Sequence, residues 1–187
     1  MKELNKTQVA ELVTQAAEDA NAFGELYEYF FPKIYQYIHY RVNGKETAED
    51  LVSDIFFKAL RNLDSLSEPG DFQSWLFSIA RNALIDHYRK MGKRREESTE
   101  NIHQEPEKEW HTPEAHVLAA EESKEVMDSL KILSPEQQEV ILLRFVHELK
   151  LKEIAEVIDK NESAVKGLLY RGLQKLSSHF ADREVQT

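Results

Sequence analysis

Cysteine is absent from the 187 residues, which removes disulfide frameworks, thiolate zinc sites and cysteine nucleophiles at once. The absence suits a reducing compartment, and we expect a soluble, cytoplasmic protein. Proline and glycine are scarce, at 5 and 6 residues, so little in the chain interrupts helices. No apolar run approaches the roughly 20 residues of a membrane span, and membrane insertion is not expected. Met1 to Gln15 mixes polar and apolar residues without the continuous apolar core of a secretory leader. Period-two alternation is missing over any useful length, which argues against strands. There is no glycine-rich phosphate loop, no nucleophile elbow and no His-Glu-x-x-His, so neither an enzyme nor a cofactor is expected. His103, His111 and His116 lack ligand spacing on a formed helix, and no metal site is expected there.

What the chain does have is charge, unevenly placed. The formal net charge is −10, from 24 Lys plus Arg against 34 Asp plus Glu. The segment 1–79 carries a net of −6, Ala80 to Arg95 a net of +5, Glu96 to Asp128 a net of −9, and the remainder a net of zero. Such a total argues against a protein that coats nucleic acid by charge alone. It leaves room for a DNA reader with one local basic strip, delivered by a partner. Residues 96–113 are polar, acidic and carry Pro106 and Pro113, which reads as a flexible linker. The expected domains are therefore 1–95 and 114–187, both of ordinary domain size.

Helical spacing dominates. Thr7 is the expected cap of a first helix with Val9, Leu12, Val13, Ala16 and Ala17 on its apolar face. A second begins near Asp19 with Phe23, Leu26, Tyr27 and Phe30, and Pro32 is expected to open a further segment with Ile34, Tyr35 and Ile38, ended by Asn43-Gly44. Thr47 and Asp50 resemble a capping box for a helix carrying Leu51, Val52, Ile55, Phe56, Ala59 and Leu60. On that helix Glu49, Asp50 and Asp54 bring carboxylates to one side of the apolar stripe, a pattern that also fits an ordinary solvated face. After a loop from Asp64 to Gly70, Asp71 is the expected cap of a long helix with Phe72, Trp75, Leu76, Ile79, Ala80, Ala83 and Leu84, ending near Gly92. Trp75 is expected in the core. The end of this helix holds the basic strip, where Arg81, Arg89 and Lys90 suit phosphates, Asn82 a base edge and Tyr88 an unpaired base. Helix-end cations favoured by the macrodipole are the plainer reading of part of it.

The C-terminal part is sharper. Ser134-Pro135-Glu136-Gln137 combines an N-cap serine, proline at the first helical position and glutamine three residues after the cap. A short helix from Leu151 to Ile158, the turn Asp159-Lys160-Asn161 and a final helix from Ser163 form a helix-turn-helix. Asp159 or Asn161 must supply its left-handed residue. Lys160, Asn161, Ser163, Lys166, Tyr170 and Arg171 offer groups suited to phosphates and base edges.

In order along the chain stand Ala22-Phe23-Gly24-Glu25-Leu26-Tyr27, Ala48-Glu49-Asp50-Leu51-Val52-Ser53-Asp54-Ile55-Phe56, and Phe72-Gln73-Ser74-Trp75-Leu76-Phe77-Ser78-Ile79-Ala80-Arg81-Asn82 with Asp86 and Arg89. Leu133-Ser134-Pro135 and Glu153-Ile154-Ala155-Glu156 leading to Val165-Lys166 follow the acidic segment. This ordered set, from about residue 20 to residue 178, resembles the extracytoplasmic-function sigma factors of bacterial RNA polymerase.

The resemblance implies an all-α protein of two small helical domains, sigma region two and sigma region four, joined by a flexible linker. It implies a transcription initiation factor, monomeric when free, that binds core polymerase, recognises two promoter elements and helps open the duplex. Glu49, Asp50, Leu51, Asp54 and Ile55 would meet the clamp of the largest subunit. Ser65, Ser67 and Asp71, in a loop resembling one that holds a flipped base, would serve the minus-ten element with Arg81, Asn82, Tyr88, Arg89 and Lys90. Lys160, Asn161, Ser163, Lys166, Tyr170 and Arg171 would serve the minus-thirty-five element, while the same domain meets the flap of the second-largest subunit. The acidic linker would thread the polymerase channel, and an anti-sigma factor would be a further partner. One departure is visible: Gly167 and Leu168 stand where the family often has Ser or Thr and then Arg, so Leu168 is expected to pack rather than read a base. The rival is a homodimeric helix-turn-helix repressor acting without polymerase.

Overall fold

A computed structural model describes residues 3–97 and 129–184, with side chains described over 3–92 and 129–181. Most of the acidic segment, the expected start of the second domain at 114 and His103, His111 and His116 lie outside the described residues. The chain divides into two compact units, and the described residues up to 97 belong to the first, those from 129 to the second. No strand occurs among the described residues, as the missing alternation implied.

The first unit contains α1 (Lys6–Ala16), α2 (Ala20–His39), α3 (Lys45–Arg61) and α4 (Phe72–Glu97). Asn5, not Thr7, caps α1: its side chain accepts from the Gln8 amide, and the Gln8 side chain returns the bond to the Asn5 amide. That reciprocal box satisfies two orphan donors, which a cap at Thr7 would leave open. Pro32 does not open a new helix; α2 runs through it. A helix-interior proline costs about 3 kcal/mol. On either side of it Phe30, Ile34, Tyr37 and Ile38 are fully buried, each contributing about 1.5–3 kcal/mol, so burial outweighs the lost bond. Nor do Thr47 and Asp50 open α3. Gly44, at φ +90°, is its N-cap, a backbone conformation that glycine reaches without a Cβ penalty. Between α3 and α4 the loop tightens into two short 3₁₀ turns, Leu63–Ser65 and Pro69–Asp71. Helix α4 continues past Gly92 to Glu97, since an isolated glycine weakens but does not stop a helix.

Aromatic edges hold the unit together. Tyr37 meets Phe77 edge-on with centroids 5.3 Å apart, and Phe30 meets Phe72 at 5.3 Å, joining α2 to α4. Trp75 is only half-buried, against Phe72, so it flanks the core instead of filling it. Val9 and Val13 of α1 are buried as well.

The second unit contains α5 (Pro135–Phe145), α6 (Leu151–Val157) and α7 (Glu162–Glu184). Ser134 and Gln137 form the expected capping box. Leu143, Leu149, Ile154 and Val165 are fully buried and bind the three helices into one core. The turn after α6 uses Asp159, at φ +53°, as its left-handed residue. Lys160 N–H donates to the Ala155 carbonyl and Asp159 N–H to that of Glu156, a Schellman closure with aspartate in the usual glycine position. Leu168 is buried, as expected. Helix α7 tolerates two interior glycines because neighbours occupy both places. A Cβ on Gly172 would stand 2.8 Å from Ile141 Cδ1, and one on Gly167 would stand 3.2 Å from Arg171 Nη1.

Candidate nucleic-acid and polymerase interfaces

Three surfaces carry the residues singled out in the sequence. The first is on α3, whose buried stripe (Ala48, Val52, Ile55, Phe56 and Ala59) fixes what faces outward. Glu49, Asp50 and Asp54 are exposed, and Glu49 pairs with Lys45 at 3.7 Å. Leu51 is half-buried. Ile55 is fully buried, which corrects its expected role: an isoleucine with no exposed surface supports this face from beneath and cannot touch a partner. In its place the structure brings out Phe57, 59% exposed, with the Arg61 guanidinium 5.7 Å from its ring centre. At 100° per residue Asp50, Asp54, Phe57 and Arg61 fall on one line along the helix. Leu60 is exposed on the adjoining side. The sequence held the signal for Phe57, since it lies out of phase with the apolar stripe.

The second surface joins the 62–71 loop to α4. Ser65 Oγ donates to the Asn62 carbonyl at 2.6 Å, so that hydroxyl is spent locally, while Ser67 is exposed. Asp71 is engaged but still 42% exposed: its carboxylate takes the Lys6 ammonium of α1 at 3.1 Å, and its carbonyl accepts from Ser74 Oγ. Further on, Asn82 and Arg89 lie on one exposed side of α4 together with Ile85. Arg81 is half-buried beside them. Arg89 pairs with Asp86 at 2.9 Å. Lys90 is exposed but sits about a quarter-turn away from Asn82. The Tyr88 hydroxyl donates to the Arg41 carbonyl while its ring stays half-exposed. Burial raises its pKa above the ordinary 10.0, against the opposing pull of the Arg41 charge. Arg41 is itself seated on the Tyr37 ring at 4.0 Å and donates to the Tyr37 carbonyl. The side chains of Lys93, Arg94 and Arg95 lie outside the described residues.

The third surface is the start of α7. Asn161 is its N-cap, with Oδ1 accepting from the Ala164 amide at 2.8 Å. Lys160 turns back onto α5, where Nζ meets Glu136 at 2.9 Å. Lys166 pairs with Glu162 at 2.7 Å within the first turns of α7. Ser163 is exposed and Tyr170 is 68% exposed. Two of the three candidate cations here therefore already hold a carboxylate. No cluster of His, Asp and Glu able to hold a metal ion occurs among the described residues. No helix among them is long and apolar enough to cross a membrane.

Comparison with known proteins gives the surfaces a context. Residues 26–95 match the family model Sigma-70 region 2, and residues 123–176 match Sigma-70, region 4. The ECF RNA polymerase sigma factor BldN of Streptomyces coelicolor is 40% identical over 180 residues, covering 95% of this chain and 68% of BldN. Among solved structures, CnrH in complex with the cytosolic domain of CnrY superposes with a TM-score of 0.67 at 25% identity, over 94% of this chain and 98% of that one. RpoE of Bartonella quintana, solved with the anti-sigma factor NepR, shares the fold with a TM-score of 0.63 at 22% identity, over 83% of this chain and 94% of that one.

Proposed function

Since the chain belongs to the extracytoplasmic-function sigma factors of RNA polymerase, we propose how its surfaces divide the work of promoter recognition. The protein is a transcription initiation factor: it binds core polymerase and directs it to promoter DNA. The domain limits of this reading are 1–95 for the region two unit, 96–113 for the linker and 114–187 for the region four unit.

In the first unit, the outward line of Asp50, Asp54 and Phe57, with Glu49 and Leu51 at its margins, docks on the clamp of the largest subunit. Carboxylates there meet basic partner groups, and the exposed Phe57 ring supplies apolar area to bury. Arg81, Asn82, Tyr88 and Arg89 face the minus-ten element, with Lys90 adding charge from the side. Ser65 and Ser67 border the flipped base, and Asp71 shapes that loop through Lys6. In the second unit, Ser163, Lys166, Tyr170 and Arg171 face the minus-thirty-five element, Lys160 stands beside the phosphates, and Asn161 fixes the helix start. An anti-sigma protein is a further partner of this reading. The factor acts in the cytoplasm and carries out no catalysis of its own.

The observation that carries this reading is the tandem match of 26–95 and 123–176, each on its own compact unit. A homodimeric repressor would use the second unit alone and leave residues 26–95 without a task. The test is transcription in vitro: purified core polymerase plus this protein should initiate at a defined promoter set, and core alone should not. Tight palindrome binding by the free chain, with no polymerase-dependent initiation, would overturn the reading.

A further inference from the structure

We propose that Arg41 and Tyr88 form one binding site for a nucleotide of the unpaired promoter strand, the guanidinium taking its phosphate and the phenol ring its base. The inference rests on α4 facing the minus-ten element. To that surface it adds a cation from the end of α2 that the sequence did not single out.

Two elements build the site. Arg41 follows Tyr40, the C-cap of α2, and its side chain folds back over the helix. The guanidinium lies 4.0 Å from the centre of the fully buried Tyr37 ring, and Nη1 donates to the Tyr37 carbonyl at 2.7 Å. A cation at a helix C-terminus is favoured by the helix dipole in any case. The dipole does not account for what the other donors of the planar fork are left to do. Arg89 on α4 holds Asp86 at 2.9 Å, whereas Arg41 meets no carboxylate among the described residues. Ring and carbonyl thus fix the guanidinium in place with most of its N–H groups open, the state suited to a phosphate.

Tyr88 stands beside it. Its hydroxyl donates to the Arg41 carbonyl, which sets the orientation of the ring, and the residue is 51% exposed. Burial raises the pKa of that hydroxyl and the Arg41 charge opposes the rise, so the charge reaches the phenol. An aromatic face next to a cation is the combination that holds single-stranded nucleic acid, base on ring and backbone on charge. A base stacked within a duplex has no free face to offer, so the ligand is an unpaired nucleotide. Tyr88 falls nearly in line with Arg81, about 10 Å along α4, and about a third of a turn from Asn82. The site is therefore distinct from the exposed side that carries Asn82 and Arg89.

The experiment measures holoenzyme affinity for a promoter fragment with a preformed bubble, and for the same fragment fully paired at a temperature where it stays closed. Along each strand of the bubble, every phosphate is replaced in turn by an uncharged methylphosphonate and every base in turn by an abasic nucleotide. In the wild type, one linkage and the base beside it should stand out. Arg41→Ala should weaken bubble binding about tenfold, the scale of one charge-assisted hydrogen bond. It should also lower the salt slope by about 0.7, the value for one phosphate on a single strand. Tyr88→Ala should weaken bubble binding at least about fivefold, the low end for a stacked base. The methylphosphonate should cost Arg41→Ala nothing further, and the abasic nucleotide should cost Tyr88→Ala nothing further. Affinity for the paired fragment and for core polymerase should stay the same in both variants. An equal loss on the paired fragment would make Arg41 a duplex contact, and an equal loss of core affinity would make the effect indirect; either overturns the proposal. So does a wild type indifferent to every single replacement, a result that needs no folded variant. If Asn82→Ala weakens promoter binding while Arg41→Ala and Tyr88→Ala do not, this site falls and the reading of α4 stands. If none of the three matters, that reading falls with it.

Discussion

Gly172→Ala is a change whose sign is decided by competition between two known magnitudes. In a helix interior, alanine in place of glycine stabilises by about 0.8–1.0 kcal/mol. The new methyl, however, would stand 2.8 Å from Ile141 Cδ1 and 3.5 Å from Gln137 Cβ. Ile141 is buried in a cluster with Leu130, Leu133 and Leu142, so its terminal methyl has little room to retreat. Overpacking of this kind costs about 1–3 kcal/mol. The net expectation is a loss of about 1 kcal/mol, or about 4–8 °C in the melting temperature of so small a unit. Gly24→Ala is the control, since nothing lies within 4 Å of its Cβ and propensity alone should stabilise by about 0.5–1 kcal/mol. Calorimetry of the full chain, with hydrogen exchange assigning the change to α5 and α7, makes the comparison. Ile141→Val removes the clashing methyl, so its own cost of about 0.5–1.5 kcal/mol should shrink in the Gly172→Ala background. If Gly172→Ala stabilises as much as Gly24→Ala, the two helices yield freely and the argument from close approach is refuted.

Asp50→Arg with Asp54→Arg should abolish competition for core polymerase with little change in melting, because both carboxylates are exposed; Phe57→Ala should weaken core binding at least tenfold, read by the same competition assay. The free chain should bind duplex promoter DNA feebly at physiological salt, since its net charge of −10 opposes phosphates; nanomolar binding in a filter or anisotropy assay would contradict this. Tyr88, with its pKa raised in the folded state, contributes stability that is whole below the unfolded value of 10.0 and is lost as pH rises through the folded value; Tyr88→Phe should flatten that alkaline limb in pH-dependent melting. Asp159→Gly should leave the second unit as stable or add up to about 1 kcal/mol, by removing a side chain from a left-handed position; a clear loss in denaturant unfolding would show that the aspartate earns its place by contacts.

The parts of the fold that local chemistry decides were legible. The Ser134 box follows from residue types at fixed positions, the left-handed turn residue narrows to Asp159 or Asn161 from residue type alone, and Leu168 packs where an apolar side chain replaces a polar one. One misreading came where burial overrode a local rule: Pro32 lies between buried turns of α2 and is carried through. Gly92 fails to stop α4 for a local reason, since an isolated glycine only weakens a helix. The α1 cap was misplaced because Asn5 and Thr7 are both good caps, and only the Gln8 partner separates them. The surfaces show the same division. Exposure of Asp50, Asp54 and Tyr170 follows from helical phase. The burial of Ile55 also follows from phase, and there the family resemblance obscured what periodicity already implied. Pairings such as Lys6 with Asp71 join residues far apart in sequence, and no spacing rule reaches them.

That last pairing bears on where the molecule can be cut and rejoined. The match to Sigma-70 region 2 begins at residue 26, inside α2 (Ala20–His39). Helix α1 lies wholly before it, yet Val9 and Val13 are buried in this unit and Lys6 grips the 3₁₀ turn that leads into α4. A chimera spliced at the boundary of sequence similarity would split α2 and discard the strut beneath the 62–71 loop. Transplanting promoter choice between relatives therefore requires a junction ahead of Asn5, so that the strut travels with the loop it holds.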